Sequence, residues 1–260
     1  MTSSYPPLSS IVDIVKSAAS LMTTDSFKIS QKEGFSNIVT SSDIAVQDFL
    51  CDKLSHLLPG SGFLCEEEDL WDSSKDFTWI IDPIDGTSNY SRGIDQCAIC
   101  VGLKRDSEII AGVVYIPSTN EMYSAEKNRG TTLNSRPIHV SARNFQDSIM
   151  CTALSVYHKE YADICSQIIT DTFRQCNDIR RFGACAPELC YLAAGRCELY
   201  FEYLLSVWDF SAASLIVTEA GGLITDLQGN KLSYEKHSGI LAANSQENLN
   251  KLLDIVQRNL

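Results

Sequence analysis

The sequence predicts a mixed fold with two unlike halves, an α+β half over residues 1–142 and an α/β half over residues 143–260. Three observations carry this. Two amphipathic helical stretches come first, a run of β-type segments fills residues 78–140, and after about residue 142 strand-like and helix-like segments alternate. Repeats, low-complexity segments and long linkers are missing from the chain, so the halves are expected to pack tightly, with the boundary near residues 140–148.

The first helix follows from Ile11, Val12, Ile14, Val15, Ala18, Leu21 and Met22 at helical spacing, with Ser9 or Ser10 available as a cap. A second is expected over residues 43–58, with Ile44, Val46, Phe49, Leu50, Leu54 and Leu57 inward and Pro59-Gly60 as its stop. Strands are then expected at 78–81, 97–103, 109–116, 122–125 and 138–140, separated by polar or Gly/Pro turns. The second half reads as strand 149–154, helix 160–176, strand 178–182, helix 187–194, strand 198–202 and helix 209–220. Strands at 223–226 and 240–243 and a closing helix capped by Ser245 complete it.

A chain of 260 residues with 44% hydrophobic content buries a sizeable core. Its net charge of -12 argues against nucleic acid or an anionic membrane as partner, because both need clustered Lys and Arg. No window reaches the roughly 20 apolar residues of a membrane-spanning helix. The N-terminus lacks the basic-then-apolar layout of a signal peptide, so a cytoplasmic location is expected. The ten cysteines are scattered through apolar segments and read as reduced core residues. Cys97 and Cys100, three apart on an expected strand, face opposite ways and cannot share zinc.

The chemistry concentrates at Asp82-Pro83-Ile84-Asp85-Gly86-Thr87, which follows the apolar strand Phe77–Ile81. The acidic run Glu66-Glu67-Glu68 lies upstream, and Asp209 follows Trp208 far downstream. Two carboxylates about 4 Å apart repel by roughly 4 kcal/mol at an effective dielectric near 20, so gathered acids require a cation. Hard divalent ions such as Mg²⁺ take oxygen ligands of this kind. Proline removes a backbone donor and ends strand pairing, leaving two carboxylates and the Ile84 carbonyl to face one region. Gly86 permits close backbone approach, and free N–H groups of a helical turn beginning there would point at a phosphate. Each piece also has a plain reading: a capped turn at 82–87, a solvated loop at 66–68, and a helix N-cap at Asp209.

Trp79-Ile-Ile-Asp82-Pro-Ile-Asp85-Gly-Thr87-x-Asn89, the preceding Glu66-Glu67, and Trp208-Asp209 with Thr218-Glu219-Ala220-Gly221-Gly222 resemble the signatures of the inositol monophosphatase family. The resemblance runs from Asn37 to Asn244 and implies a layered αβαβα fold, commonly homodimeric, for a lithium-sensitive, metal-dependent phosphomonoesterase. It implies that Glu66, Asp82 and the Ile84 carbonyl hold one Mg²⁺, that Asp82, Asp85 and Asp209 hold a second, and that Glu66 contacts a third through water. Thr87, paired with Asp43, would orient the attacking water beside Glu66. Backbone N–H groups of Gly86 and Thr87 would grip the phosphate. Glu202 and Ala184, with Asp209, stand at substrate positions, while Glu67 and Lys32 stand behind the ligands.

Departures from the pattern lie at Cys65, Ser211-Ala212, Gly183–Ala186 and Leu204–Ser206, most of them on the expected substrate side. The resemblance therefore implies inositol monophosphate or a similar small phosphate ester as substrate. Fructose 1,6-bisphosphate, histidinol phosphate and 3′-phosphoadenosine 5′-phosphate are competing esters, with Arg180, Arg181 and Arg196 as candidates for a second phosphate. A silent metal-binding relative and an acidic protein-binding scaffold are the readings outside enzymology.

Overall fold

Apolar residues on both faces of two sheets dictate the layering. The computed structural model describes residues 5–22, 27–32, 38–67, 75–235 and 237–260. Along the chain come α1 (Leu8–Ala18), β1 (Ile29–Gln31), β2 (Ile38–Thr40), α2 (Ser41–Leu57), β3 (Gly62–Cys65), β4 (Phe77–Asp85) and the short α3 (Thr87–Tyr90). They are followed by β5 (Ala98–Arg105), β6 (Glu108–Ile116), β7 (Glu121–Glu126), β8 (Thr131–Leu133), β9 (Arg136–Pro137), β10 (Ile149–Thr152) and α4 (Ala162–Phe173). The rest is β11 (Asp178–Arg180), α5 (Cys185–Ala193), β12 (Leu199–Leu205), α6 (Val207–Glu219), β13 (Leu223–Thr225), β14 (Ser238–Ala243) and α7 (Gln246–Asn259).

Strands β3 to β9 form a seven-stranded sheet in chain order, antiparallel except for the parallel pair β3–β4. The second sheet runs β11-β10-β12-β14-β13, with β10 parallel to both neighbours. Successive strand residues face opposite sides. Trp79, Ile81, Ile99 and Val101 therefore pack under α1 and α2, through Ile11, Val15, Val46 and Leu50. Their neighbours Ile80, Ala98 and Cys100 face α5 and α6 in the middle layer. Tyr200, Ile240 and Ala242 of the second sheet close that layer from the other side. Phe201, Leu241 and Ala243 point outward to Cys165 and Ile168 of α4 and Leu249 and Leu252 of α7. The result is a layered αβαβα fold.

One close approach sets the middle layer. A Cβ on Gly112 of β6 would sit 2.5 Å from the carbonyl oxygen of Ala212, so α6 rests directly on strand backbone. Ser211 and Ala212, both buried, are the small residues that this contact requires.

Several boundaries differ from the sequence expectation. Residues 138–140 form no strand: Ile138 and Val140 pack on the middle core, and the Val140 N–H bonds the Ala220 carbonyl. Apolar alternation there marks burial of a connecting segment. Helix α1 is preceded by Pro7 with no side-chain cap, so neither Ser9 nor Ser10 caps it. Strands β1, β2, β3, β8 and β9, of two to four residues each, were not anticipated. Among the described residues no helix is long and apolar enough to cross a membrane.

Candidate active site

Asp82 and Asp85 are three residues apart on one strand, which alone would aim them at opposite faces. The ladder between β4 and β5 shifts register between them: Asp82 pairs with Cys100 and Asp85 with Ala98. Three steps on β4 against two on β5 make a bulge at Pro83-Ile84, which re-aims the second carboxylate. The proline thus does not end the strand as expected; β4 continues through Asp85. Gly86 then turns the chain at φ 87°, and a Cβ there would lie 2.8 Å from the Gln96 carbonyl and 3.0 Å from the Ala184 methyl. That combination admits glycine.

One stripe of α2 aims polar groups at this turn. Thr40 caps the helix, its Oγ1 accepting from the N–H groups of Ser42 and Asp43 at 3.2 and 3.4 Å, while Asp43 Oδ2 accepts from the Thr40 N–H at 2.8 Å. The other Asp43 oxygen, Oδ1, accepts from Thr87 Oγ1 at 3.1 Å. That hydroxyl also lies 3.0 Å from the Ile84 carbonyl. One turn along, Gln47 Oε1 accepts from the Glu67 N–H at 2.9 Å and its amide donates to the Glu67 carbonyl, which fixes the loop after β3. Lys32 Nζ donates to Glu66 and to Glu67, at 3.2 Å and 2.5 Å. Glu68 lies outside the described residues.

Asp209 arrives on α6. The helix begins two residues before the expected start, capped by Ser206, so Asp209 is its third residue and not its N-cap. Its Oδ2 accepts from the Ser206 N–H at 2.8 Å. Asp85 meets α5 instead: Oδ1 and Oδ2 accept from the N–H groups of Cys185 and Ala186 at 3.3 and 2.6 Å, at the positive end of that helix. A cleft of about 190 Å³ is lined by Lys32, Glu66, Asp82, Ile84, Asp85, Gly86, Thr87 and Asp209, together with Tyr157, Ser206 and Trp208. The fold thus brings together all the acidic residues, the carbonyl and the turn that the sequence singled out as metal and phosphate groups.

Burial and mutual charge dominate the cleft. Burial, then Glu66, Asp85 and Asp209, push the Asp82 carboxyl well above the carboxylate range, and burial with Asp85 and Glu66 does the same to Asp209. Burial raises Asp85 to about 6 against the two N–H groups that favour its charged form. Burial and the Glu66 charge raise Glu67 to about 7 against Lys32. Burial also raises Asp43, opposed by the Thr40 and Thr87 hydrogen bonds. Among the described residues no three acidic, His or Cys side chains already stand at the spacing of one ion's ligands. The donor set nonetheless fits a hard cation, because Asp82 Oδ1 is buried without any hydrogen-bond partner and faces other carboxylates. A cation is the species that would satisfy such an oxygen.

Beside this cleft a second, of about 410 Å³, shares Asp85, Gly86, Thr87, Tyr157 and Asp209 and adds Ala184, Glu202, Glu188 and Arg181. Glu202, raised by burial to about 7, accepts from the Tyr200 hydroxyl at 2.7 Å. Of the three arginines named for a second phosphate, Arg181 lines the cleft. Arg180 pairs with Asp178 at 2.5 Å, and Arg196 donates to Glu121 at 3.1 Å. Gln47, Tyr157 and Glu188 were not singled out from the sequence. Gln47 had a signal, four residues after Asp43 on one helix face. Glu188, 1% exposed, had none: its Oε1 accepts from the N–H groups of Phe182 and Gly183 at 2.8 and 2.9 Å, contacts that exist only once the loop folds.

The family model described as inositol monophosphatase family matches residues 7–259. The chain is 33% identical over 247 residues to the Escherichia coli protein described as Nus factor SuhB, covering 92% of each chain. It is 34% identical over 217 residues to an inositol-1-monophosphatase of Caulobacter vibrioides, covering 82% of this chain and 85% of that one. The solved structure of the extragenic suppressor protein suhB from Bartonella henselae superposes with a TM-score of 0.89 at 30% identity, over 97% of this chain and 98% of that chain. The chain belongs to the inositol monophosphatase family.

Proposed function

We propose that this protein hydrolyses a small phosphate monoester, with inositol monophosphate as the preferred substrate, using Mg²⁺ held by Glu66, Asp82, Asp85, Asp209 and the Ile84 carbonyl. The observation that carries this is the unpartnered buried Asp82 oxygen in a cleft of like charges, one bulge away from a glycine turn. Bound there, the cation would neutralise phosphate charge, lower the pKa of a water and stabilise the departing alkoxide.

The remaining work falls to the chain itself. Thr87 Oγ1 has one proton and two acceptors in reach, the Asp43 carboxylate and the Ile84 carbonyl. Donation to the charged partner is the stronger bond. It leaves a hydroxyl lone pair to accept a hydrogen bond from the attacking water and orient that water beside Glu66. The N–H groups of Gly86 and Thr87 would orient phosphate oxygens at the turn. Glu202 and Ala184 border the space for the leaving alcohol. A buried carboxyl poised near neutrality can either accept from or donate to a substrate hydroxyl.

A panel of phosphate esters assayed with Mg²⁺ tests the substrate. Inositol monophosphate is expected to lead in kcat/KM, and preference for a bisphosphate would overturn that choice. The description Nus factor carried by the Escherichia coli relative favours a second reading, in which the chain serves a role other than turnover. That reading predicts no phosphate release from any ester on the panel.

A further inference from the structure

Helix α2 makes three contacts along one stripe. Asp43, Gln47 and Cys51 follow one another at four-residue steps, so all three point the same way. Asp43 holds Thr87, Gln47 holds the backbone of Glu67, and Cys51 Sγ lies 3.7 Å from Cys65 Sγ at the end of β3. Cys65 directly precedes Glu66. Cys51 is half-buried, whereas Cys65 is buried.

We propose that Cys51 and Cys65 are an oxidation site, closing to a disulfide that ties α2 to the strand leading into Glu66 and suppresses the activity of the neighbouring cleft. A disulfide needs its sulfurs about 2.05 Å apart, so closure draws helix and strand together by roughly 1.7 Å at the sulfurs. Cys51 and Cys65 belong to one packed cluster with Leu50, Leu54 and Trp79, and close-packed interiors transmit such strain. It reaches Glu66 through one peptide bond and Glu67 through Gln47.

The chemistry requires a hydroperoxide as oxidant. The Cys51 thiolate attacks one oxygen of hydrogen peroxide, the O–O bond breaks, and the departing hydroxide takes up a proton as water. The resulting Cys51 sulfenic acid is attacked by the Cys65 sulfur. The S–O bond breaks and the hydroxyl leaves as water with the Cys65 proton. Two thiols are oxidised and one peroxide is reduced to two waters.

The test treats the full chain with hydrogen peroxide, alkylates the remaining thiols and maps peptides by mass spectrometry. A Cys51–Cys65 cross-linked peptide is expected, removed by dithiothreitol and absent from Cys51→Ser and from Cys65→Ser. Free, alkylated Cys51 in peroxide-treated wild type would overturn the proposal. Because the cross-link is read without turnover, an inactive chain tests it equally well. On the ester that the wild type hydrolyses, oxidation should cost up to about 10²-fold, the scale of a 1 Å misplacement at a catalytic group, and dithiothreitol should restore it. Cys51→Ser should keep its turnover through the same treatment. Equal inactivation of wild type and Cys51→Ser would show that the pair does not control the cleft.

Discussion

At Asp82, burial and neighbouring charge act in the same direction, against ionisation. Thr87 and Asp85 are buried beside it, Thr87 bonded to Asp43 and Asp85 to the N–H groups that open α5, so turnover and folding are read side by side in their variants. Thr87→Ala removes the hydroxyl between Asp43 and the water and should lower kcat by on the order of 10²–10⁴-fold, with the melting temperature falling by only about 2–4 °C for the lost buried hydrogen bond. Asp85→Asn should abolish turnover while the chain still folds. Wild-type rates in both variants would remove these residues from the mechanism. Glu188, in the neighbouring cleft, allows a pH test. Burial raises it to about 8 from 4.5, so between those values the folded state holds more protons than the unfolded state, and stability falls as pH rises. Glu188→Gln keeps an oxygen for the Phe182 and Gly183 N–H groups but cannot ionise. The stability of wild type relative to this variant should therefore drop across that window in thermal melts, and a pH-independent difference would contradict the assignment.

Among the elements, α6 is held on strand backbone at Gly112 on one side and carries Asp209 in its first turn. Gly112→Val would drive a side chain into the Ala212 carbonyl and should cost about 1–3 kcal/mol, read by denaturant unfolding, with a larger loss of activity than of fold as Asp209 shifts. An unchanged midpoint would show that α6 yields freely. Sequence reading captured the long elements here because their apolar periodicity is local: Ile11, Val15 and Ala18 in α1, Val46, Leu50 and Leu54 in α2, and Leu249, Leu252 and Val256 in α7 are buried, while Val12, Ile14, Leu21, Met22, Ile44, Phe49, Leu57 and Leu253 of the same patterns are half-buried at the edges of those faces. It missed contacts made across the chain. The plain reading of Asp209 as a cap arises because a helix start looks alike at its cap and at its third residue, until Ser206 is seen to be the cap. The bulge between Asp82 and Asp85 depends on the register with β5, which no spacing within β4 reveals.

Across the whole molecule, the site lies where the two sheets face each other through the middle helices. The bulged end of β4 supplies Asp82 and Asp85, α2 supplies Asp43, and α6 supplies Asp209. The acids were legible in the sequence, and so was their convergence through the family resemblance. Their partners Gln47 and Glu188 were not, because hydrogen bonds to the backbone of distant loops leave no mark on composition. Repulsion within the cleft means that a bound cation stabilises the fold by mass action, by about 2.7 kcal/mol at a hundred times its Kd. Mg²⁺ should therefore raise the melting temperature of wild type, and Asp82→Asn should lose most of that rise. An equal rise in both would move the cation elsewhere. The most direct measurement is phosphate release from inositol monophosphate by wild type and Asp85→Asn, each with Mg²⁺ and with a chelator. Release by wild type with Mg²⁺ alone is the predicted result; release that survives the chelator, or that Asp85→Asn retains, would contradict it.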